Sequence, residues 1–190
     1  MEVVGPQELQ AEDGVTFNAD VIILANGFKT QELLFPMTIA GRGGVELPEI
    51  WRREGNFASA YMGVCLPEFP NLFFLTGPNT LPSGHSTLTG IECSVEYILQ
   101  MLGTIISEEE DSLISKRVMV QVRSNAHSSF NDWIQERMQG LVYTSDVRNW
   151  YIDRRSGRNT LIWPGTQLEF WWSRSVRGVR WGDYEVERRE

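Results

Sequence analysis

The stretch from Phe69 to Leu102, FPNLFFLTGPNTLPSGHSTLTGIECSVEYILQML, constrains the fold more than any other part of this chain. Leu72 to Leu75 is a short apolar run bounded by Pro70-Asn71 and Gly77-Pro78, the signature of a central strand in a covered sheet. From Ile91 onward the apolar residues Ile91, Val95, Ile98, Leu99, Leu102 and Ile106 fall at helical spacing. Between the two lies a turn of small and polar residues, Asn79 to Thr89. A strand that empties through such a turn into a helix N-terminus leaves backbone N–H groups free at the edge of a crevice. Small or anionic ligands bind at such places.

The rest of the chain supplies the setting. A second apolar, β-branched run, Asp20 to Phe28, ends in Asn26-Gly27 and also has the pattern of a buried parallel strand. A parallel neighbour needs a crossover connection, and too few residues precede this run to provide one. The expectation is therefore of a strand whose partners lie outside the 190 residues. Val15 to Phe17 alternates weakly after the Asp13-Gly14 turn. Leu47 to Trp51 suggests a short helical turn, and Asn56 to Met62 an edge strand. Arg117 to Val122 alternates as a strand. Ser124 or Asn125 can cap a following helix whose apolar stripe is Ala126, Phe130, Trp133, Ile134 and Met138, with His127 on its polar, solvated side. Trp150-Tyr151 and Leu161 to Trp163 flank a charged, glycine-containing turn, a hairpin pattern. The charge-mixed tail, Glu185 to Glu190, suggests a frayed end.

Composition narrows the function classes. A net charge of −8 argues against a nucleic-acid partner. The absence of an 18-residue apolar run argues against a membrane span. The N-terminal residues lack the basic and apolar regions of a signal peptide. The two cysteines, Cys65 and Cys93, suit buried thiols in a reducing compartment better than a disulfide, so the expected location is cytoplasmic. With two histidines and no CxxC, HxxxH or HExxH spacing, no metal site is expected. Ser83-Gly84-His85-Ser86 is not a nucleophile elbow, and no spacing favours a Ser–His–Asp triad, so no catalytic residue is assigned. The sequence has neither GxGxxG nor GxxxxGK[ST], hence no complete phosphate-binding fingerprint. Seven tryptophans can signal a ligand pocket, although packing is their default role. What remains is the 77–90 turn. Asn79, Thr80, Ser83, His85, Ser86 and Thr87 supply more polar groups than helix capping needs, which favours ligand contact over a purely structural turn.

These motifs resemble a known family. Asp20 to Phe28 (DVIILANGF), Phe69 to Glu92, and the closing pattern from Asn149 to Trp172 look like the C-terminal third of Baeyer–Villiger and related class B flavin monooxygenases. The order and spacing of the three carry the resemblance across nearly the whole chain. It implies an α/β fold, the C-terminal part of a flavoprotein with two Rossmann-like dinucleotide-binding domains, with a mixed sheet, flanking helices and a C-terminal hairpin. Residues 1–28 would close the NADPH domain and lead back to the FAD domain, and residues 29–190 would be the C-terminal part of that second domain.

The implied cofactors are FAD and NADPH. The cofactor-binding residues would be Asn26, Gly27, Gly77, Pro78, Asn79, Thr80, His85, Ser86 and Thr87, with the N–H groups around Ser86 and Thr87 facing the pyrimidine end of the flavin. A positive helix end there suits a reduced flavin, which carries negative charge. Leu81, Pro82, Ser83 and Gly84 would border the cavity for a small organic substrate. Two departures stand out. The family's Ala-Thr-Gly is Ala25-Asn26-Gly27 here, a change that tolerates the same turn geometry. The family's dinucleotide fingerprints and the arginine it sets beside the flavin are not in these residues. The function implied is insertion of one oxygen atom into a ketone or similar substrate by an enzyme of which this chain is a fragment or subunit. The alternative is an inactive remnant that keeps a binding role. The corresponding partners are the missing N-terminal half or a second copy of the chain.

Overall fold

The computed structural model describes residues 2–25, 30, 32–53, 55–82, 84, 86–110, 117–144, 150–153 and 155–189. The chain opens on an antiparallel meander of β1 (Glu2–Gly5), β2 (Glu8–Gln10) and β3 (Thr16–Asn18). Asp13-Gly14 forms the second turn, with Gly14 at φ 85°. Helix α1 (Leu47–Arg53) buries Leu47, Ile50 and Trp51 on one face, as its 3–4 spacing requires. A two-residue strand, β4 (Leu81–Pro82), precedes the 24-residue helix α2 (Thr87–Glu110). Strand β5 (Arg117–Val122) leads into α3 (Ser124–Met138). Then come β6 (Ile162–Trp163), α4 (Gln167–Trp171), a π-helical turn from Trp172 to Val176, and β7 (Tyr184–Arg189).

Helix α2 is the central element. Tyr97, Ile98, Met101 and Ile105 pack on Val118, Val120 and Val122 of β5 and on the Tyr61–Cys65 turn. Cys93, at the other end of that face, joins Ile134, Trp163 and Phe170 in a smaller cluster. A third cluster gathers α1 with Leu66, Phe69 and Phe74. The opposite side of α2 is apolar too. Leu88, Val95, Leu99 and Ile106 are 73%, 36%, 58% and 51% exposed, and their spacing aligns them along one stripe facing away from the core.

Several expectations need correction. Leu72 to Leu75 is not a strand. Phe74 is buried against α1, Leu75 is 46% exposed, and a single residue, Asn71, ties the segment to β5. The Asn71 side chain donates to the Val118 carbonyl (3.0 Å) and accepts from the Val120 N–H (2.8 Å), doing locally what a ladder would do. The described part of the Asp20–Phe28 run is likewise irregular, with Val21, Ile23 and Leu24 at least 75% exposed. Strand propensity gives a segment the capacity for pairing but not a neighbour. Asn56 to Met62 is no edge strand either; it ends in a tight turn bridged from Tyr61 to Cys65.

The expected C-terminal hairpin reduces to one antiparallel bridge, Ile152 to Asn159, closed by the Gly157 N–H on the Asp153 carbonyl (2.8 Å). Its second arm pairs elsewhere, since β6 runs parallel to β4 with Leu81 opposite Ile162 and Pro82 opposite Trp163. The tail is not frayed. β7 pairs antiparallel with all six residues of β5, from Val122 opposite Tyr184 to Arg117 opposite Arg189. His127 is fully buried rather than solvated. Ile134 and Met138 of the expected α3 stripe are buried, joined by His127 and Asn131, while Ala126, Phe130 and Trp133 are only half-buried.

Among the described residues no helix is long and apolar enough to cross a membrane, and no group of three His, Cys, Asp or Glu side chains could hold a metal ion.

Candidate functional site

Residues Gly77 to Leu88 divide into a buried floor and an exposed edge. Gly77, Pro78, Asn79 and Thr80 are buried. A side chain at Gly77 would meet the carbonyl of Gly63 and come within 2.9 Å of Phe74 Cβ, so the glycine allows two backbones to touch. Asn79 sits in the left-handed region at φ 55°. Its amide donates to the carbonyls of Asn159 (2.8 Å) and Ile162 (2.9 Å), and its backbone N–H donates to Thr160 (2.8 Å). Thr80 Oγ1 donates to the Gly77 carbonyl at 2.7 Å. The polar side chains of Asn79 and Thr80 are thus engaged with the protein itself. Asn79 ties the turn to β6 and the residues before it, and Thr80 closes the turn on itself.

The edge is different. Leu81 and Pro82 are half-buried, and Gly84, Ser86, Thr87 and Leu88 are exposed. Gly84 is at φ 71° with open space where a side chain would stand. Ser86 starts α2. Its carbonyl accepts the Gly90 N–H (3.2 Å), and its Oγ accepts the Thr89 N–H at 3.4 Å. Among the described residues, the first-turn N–H groups of Thr87 and Leu88 donate to no backbone carbonyl, as a helix N-terminus leads one to expect. No acidic side chain sits in the first turn of α2 to offset its positive end. Of the remaining residues expected at the site, Asn26, Gly27, Ser83 and His85 lie outside the described residues.

The edge combines the exposed first turn of α2, which carries no acidic residue, with a flanking half-buried apolar pair, Leu81 and Pro82. The diphosphate of FAD or NADPH finds no glycine-rich cradle in the sequence. A third structural support was not legible in the sequence. Arg174 is fully buried and donates through Nη2 to the Met62 carbonyl at 2.7 Å. Met62 precedes Gly63, the residue against which Gly77 and Thr80 pack. No local pattern around Arg174 marks it as different from the exposed Arg177 and Arg180.

No protein-family model matches the chain. Among curated proteins, a Baeyer–Villiger monooxygenase from Streptomyces coelicolor is 32% identical over 181 residues, 95% of this chain and 33% of its own length. The FAD-binding monooxygenase moxY of Dothistroma septosporum is 29% identical over 175 residues, covering 92% and 26%. Among solved structures, cyclohexanone monooxygenase from Rhodococcus sp. Phi1 bound to NADP+ superposes with a TM-score of 0.70 at 22% identity, over 93% of this chain and 32% of that one. A closed crystal structure of cyclohexanone monooxygenase gives 0.71 at 23% identity, over 95% and 32%. The chain spans about a third of the length of the relatives it matches. Over nearly all its residues it is similar in sequence to Baeyer–Villiger and FAD-binding monooxygenases, and it shares the fold of about one third of cyclohexanone monooxygenase.

Proposed function

We propose that this chain works as the C-terminal third of an FAD- and NADPH-dependent monooxygenase that inserts one oxygen atom into a ketone or similar small organic substrate. The observation that carries this reading is the 32% identity to a Baeyer–Villiger monooxygenase across 95% of the chain. In it, residues 1–28 close the NADPH-binding domain and residues 29–190 complete the FAD-binding one. FAD, when bound, takes reducing equivalents from NADPH and supplies the oxygen-activating chemistry. The part of this chain is to hold one edge of the ring. Thr87 and Leu88 present N–H groups to the edge that gains negative charge on reduction, and Leu81, Pro82, Ser83 and Gly84 border the substrate cavity. Beneath them Asn79 fixes the turn to β6, Thr80 closes it on the Gly77 carbonyl, and Gly77 lets it pack on Gly63. Two exposed apolar surfaces support a large protein partner, the Val21–Leu24 run and the outer stripe of α2.

A chimera tests this reading directly. The matching third of the Streptomyces relative is replaced by this chain, and FAD content and ketone-dependent NADPH oxidation are measured. The expected result is retention of both. A chimera that folds, by circular dichroism, yet holds no FAD refutes the proposal. Thr87→Pro in that chimera isolates the helix end. Proline is tolerated at the first position of a helix, so folding is preserved while one N–H is lost. Flavin retention is expected to fall, and unchanged retention with unchanged turnover refutes the assignment of Thr87.

A further inference from the structure

A groove of about 1020 Å³ lies between α3 and the segment running from α4 to Asp183. None of the described residues from 77 to 88 lines it. Its walls are aromatic. Phe130 and Trp133 line it together with Trp171 and Trp172, which remain 40% and 55% exposed. Large rings left uncovered around a concave surface gain nothing in stability, and a volume of this size matches that of small-molecule pockets.

The charges in the groove point to the class of ligand. Two carboxylates line it, and both are occupied. Glu169 accepts from the Thr166 backbone N–H (2.7 Å) and from Arg137 (3.1 Å), and these contacts hold its carboxyl below the usual range, the backbone bond most of all. Asp183 accepts from the Tyr61 hydroxyl and pairs with Arg180 at 3.5 Å. Arg177 also lines the groove, is exposed, and has no carboxylate in ion-pair range among the described residues. Asn125 and Ala126, in the first turn of α3, line it as well, and that turn has neither an acidic residue nor a side-chain cap. In a chain of net charge −8, this groove has three arginines against two neutralised carboxylates.

We propose that the groove binds an amphipathic carboxylate, with a flat apolar body laid on the tryptophan walls and a single carboxylate paired with Arg177. Planar guanidinium and carboxylate meet in a two-pronged hydrogen bond, while the rings remove the apolar body from water. The inference does not depend on the flavin reading, because neither the groove nor its charges involve the 77–88 turn.

The test titrates the 190-residue chain with 2-naphthoate and, separately, with 2-naphthamide, which keeps the ring and lacks the charge. Tryptophan fluorescence reports binding and calorimetry the stoichiometry. The expected result is one naphthoate per chain, bound about tenfold or more tighter than the amide, as the loss of a charge-assisted bond requires. Arg177→Gln abolishes that preference, and Trp172→Ala weakens both probes alike. Both positions are exposed, so the fold survives, which circular dichroism verifies. Equal affinity for the two probes, a preference that persists in Arg177→Gln, or binding that does not saturate at one per chain overturns the proposal.

Discussion

Replacing Arg174 with methionine asks whether a buried cation without a carboxylate partner holds this core together or merely survives in it. The guanidinium is fully buried. It donates to the Met62 carbonyl (2.7 Å) and Ser173 Oγ (3.1 Å), and its Nε has no partner. It lies over the Phe170 ring at 3.4 Å from the centroid and 4.9 Å from that of Trp163. Burial pushes its pKa down from 12.5 to about 9, against the pull of Tyr97 and Cys93. That displacement corresponds to roughly 5 kcal/mol against the charged form. Methionine removes this penalty and roughly fills the space. It forfeits the cation–π contact, about 2 kcal/mol when desolvated, and orphans the Met62 carbonyl, at about 1–3 kcal/mol. Gain and loss nearly cancel, as they do for many buried charges replaced by apolar residues.

The expectation is therefore that Arg174→Met lies within about 2 kcal/mol of the parent at pH 7.5, in urea unfolding followed by circular dichroism. Arg174→Lys keeps a buried charge but loses the planar stack and the fork, and is expected to be the less stable of the two. The pH dependence sharpens the test. Below about pH 9 the guanidinium is protonated in both folded and unfolded chains, so its cost is fully present. Between about 9 and 12.5 the unfolded chain binds the extra proton, and stability rises with pH. One pH unit above 9 recovers about 1.4 kcal/mol for the parent relative to Arg174→Met. A methionine variant destabilised by more than about 4 kcal/mol, or a difference that does not change between pH 8 and 10, refutes the reasoning. Either outcome would mean that the aromatic sandwich fully sustains the cation.

Alkaline unfolding is expected to be steep. Burial raises the phenols of Tyr61, Tyr97 and Tyr184 and pushes the Cys65 thiol up from 9 to about 12, so these groups contribute stability below pH 9 that is lost as pH climbs through the thiol window and, above 10, through that of the phenols. Tyrosinate absorbance should appear together with loss of circular dichroism; buried tyrosines that ionise near pH 10 in the folded chain contradict this. Thr166→Ala removes a complete capping box, in which Thr166 Oγ1 accepts from the Glu169 N–H at 3.1 Å. A loss of about 1 kcal/mol is expected in urea unfolding. Gly63→Ala places a methyl on the Thr80 side chain and 2.9 Å from the Pro78 carbonyl, at φ 70°. A loss of more than about 2 kcal/mol is expected, and a neutral result shows that the floor beneath the 77–88 edge is pliable.

What the sequence could disclose follows from the range over which each signal acts. Helices α2 and α3 are legible because their spacing is local, and so is β5, whose alternation faces the core. Strand β7 was obscured because Glu185, Glu187 and Arg188 resemble a solvated tail. The two carboxylates are answered across the sheet and beyond it, by Arg123 at 3.2 Å from Glu185 and by Arg42 at 2.5 Å from Glu187, partners 62 and 145 residues away. Leu72 to Leu75 and Val21 to Leu24 show the opposite failure, a local signal for pairing without a described neighbour to complete it. The candidate site divides along the same line. The exposed N-terminal turn of α2 is written in consecutive residues, and family resemblance gave it a ligand. The buried floor is not, because Asn79 is fixed by Asn159 and Ile162, and Met62, the neighbour of Gly63, accepts from Arg174, 112 residues away. A turn rich in polar residues therefore overstates how many of them face a ligand. At least two, Asn79 and Thr80, bond to the protein itself.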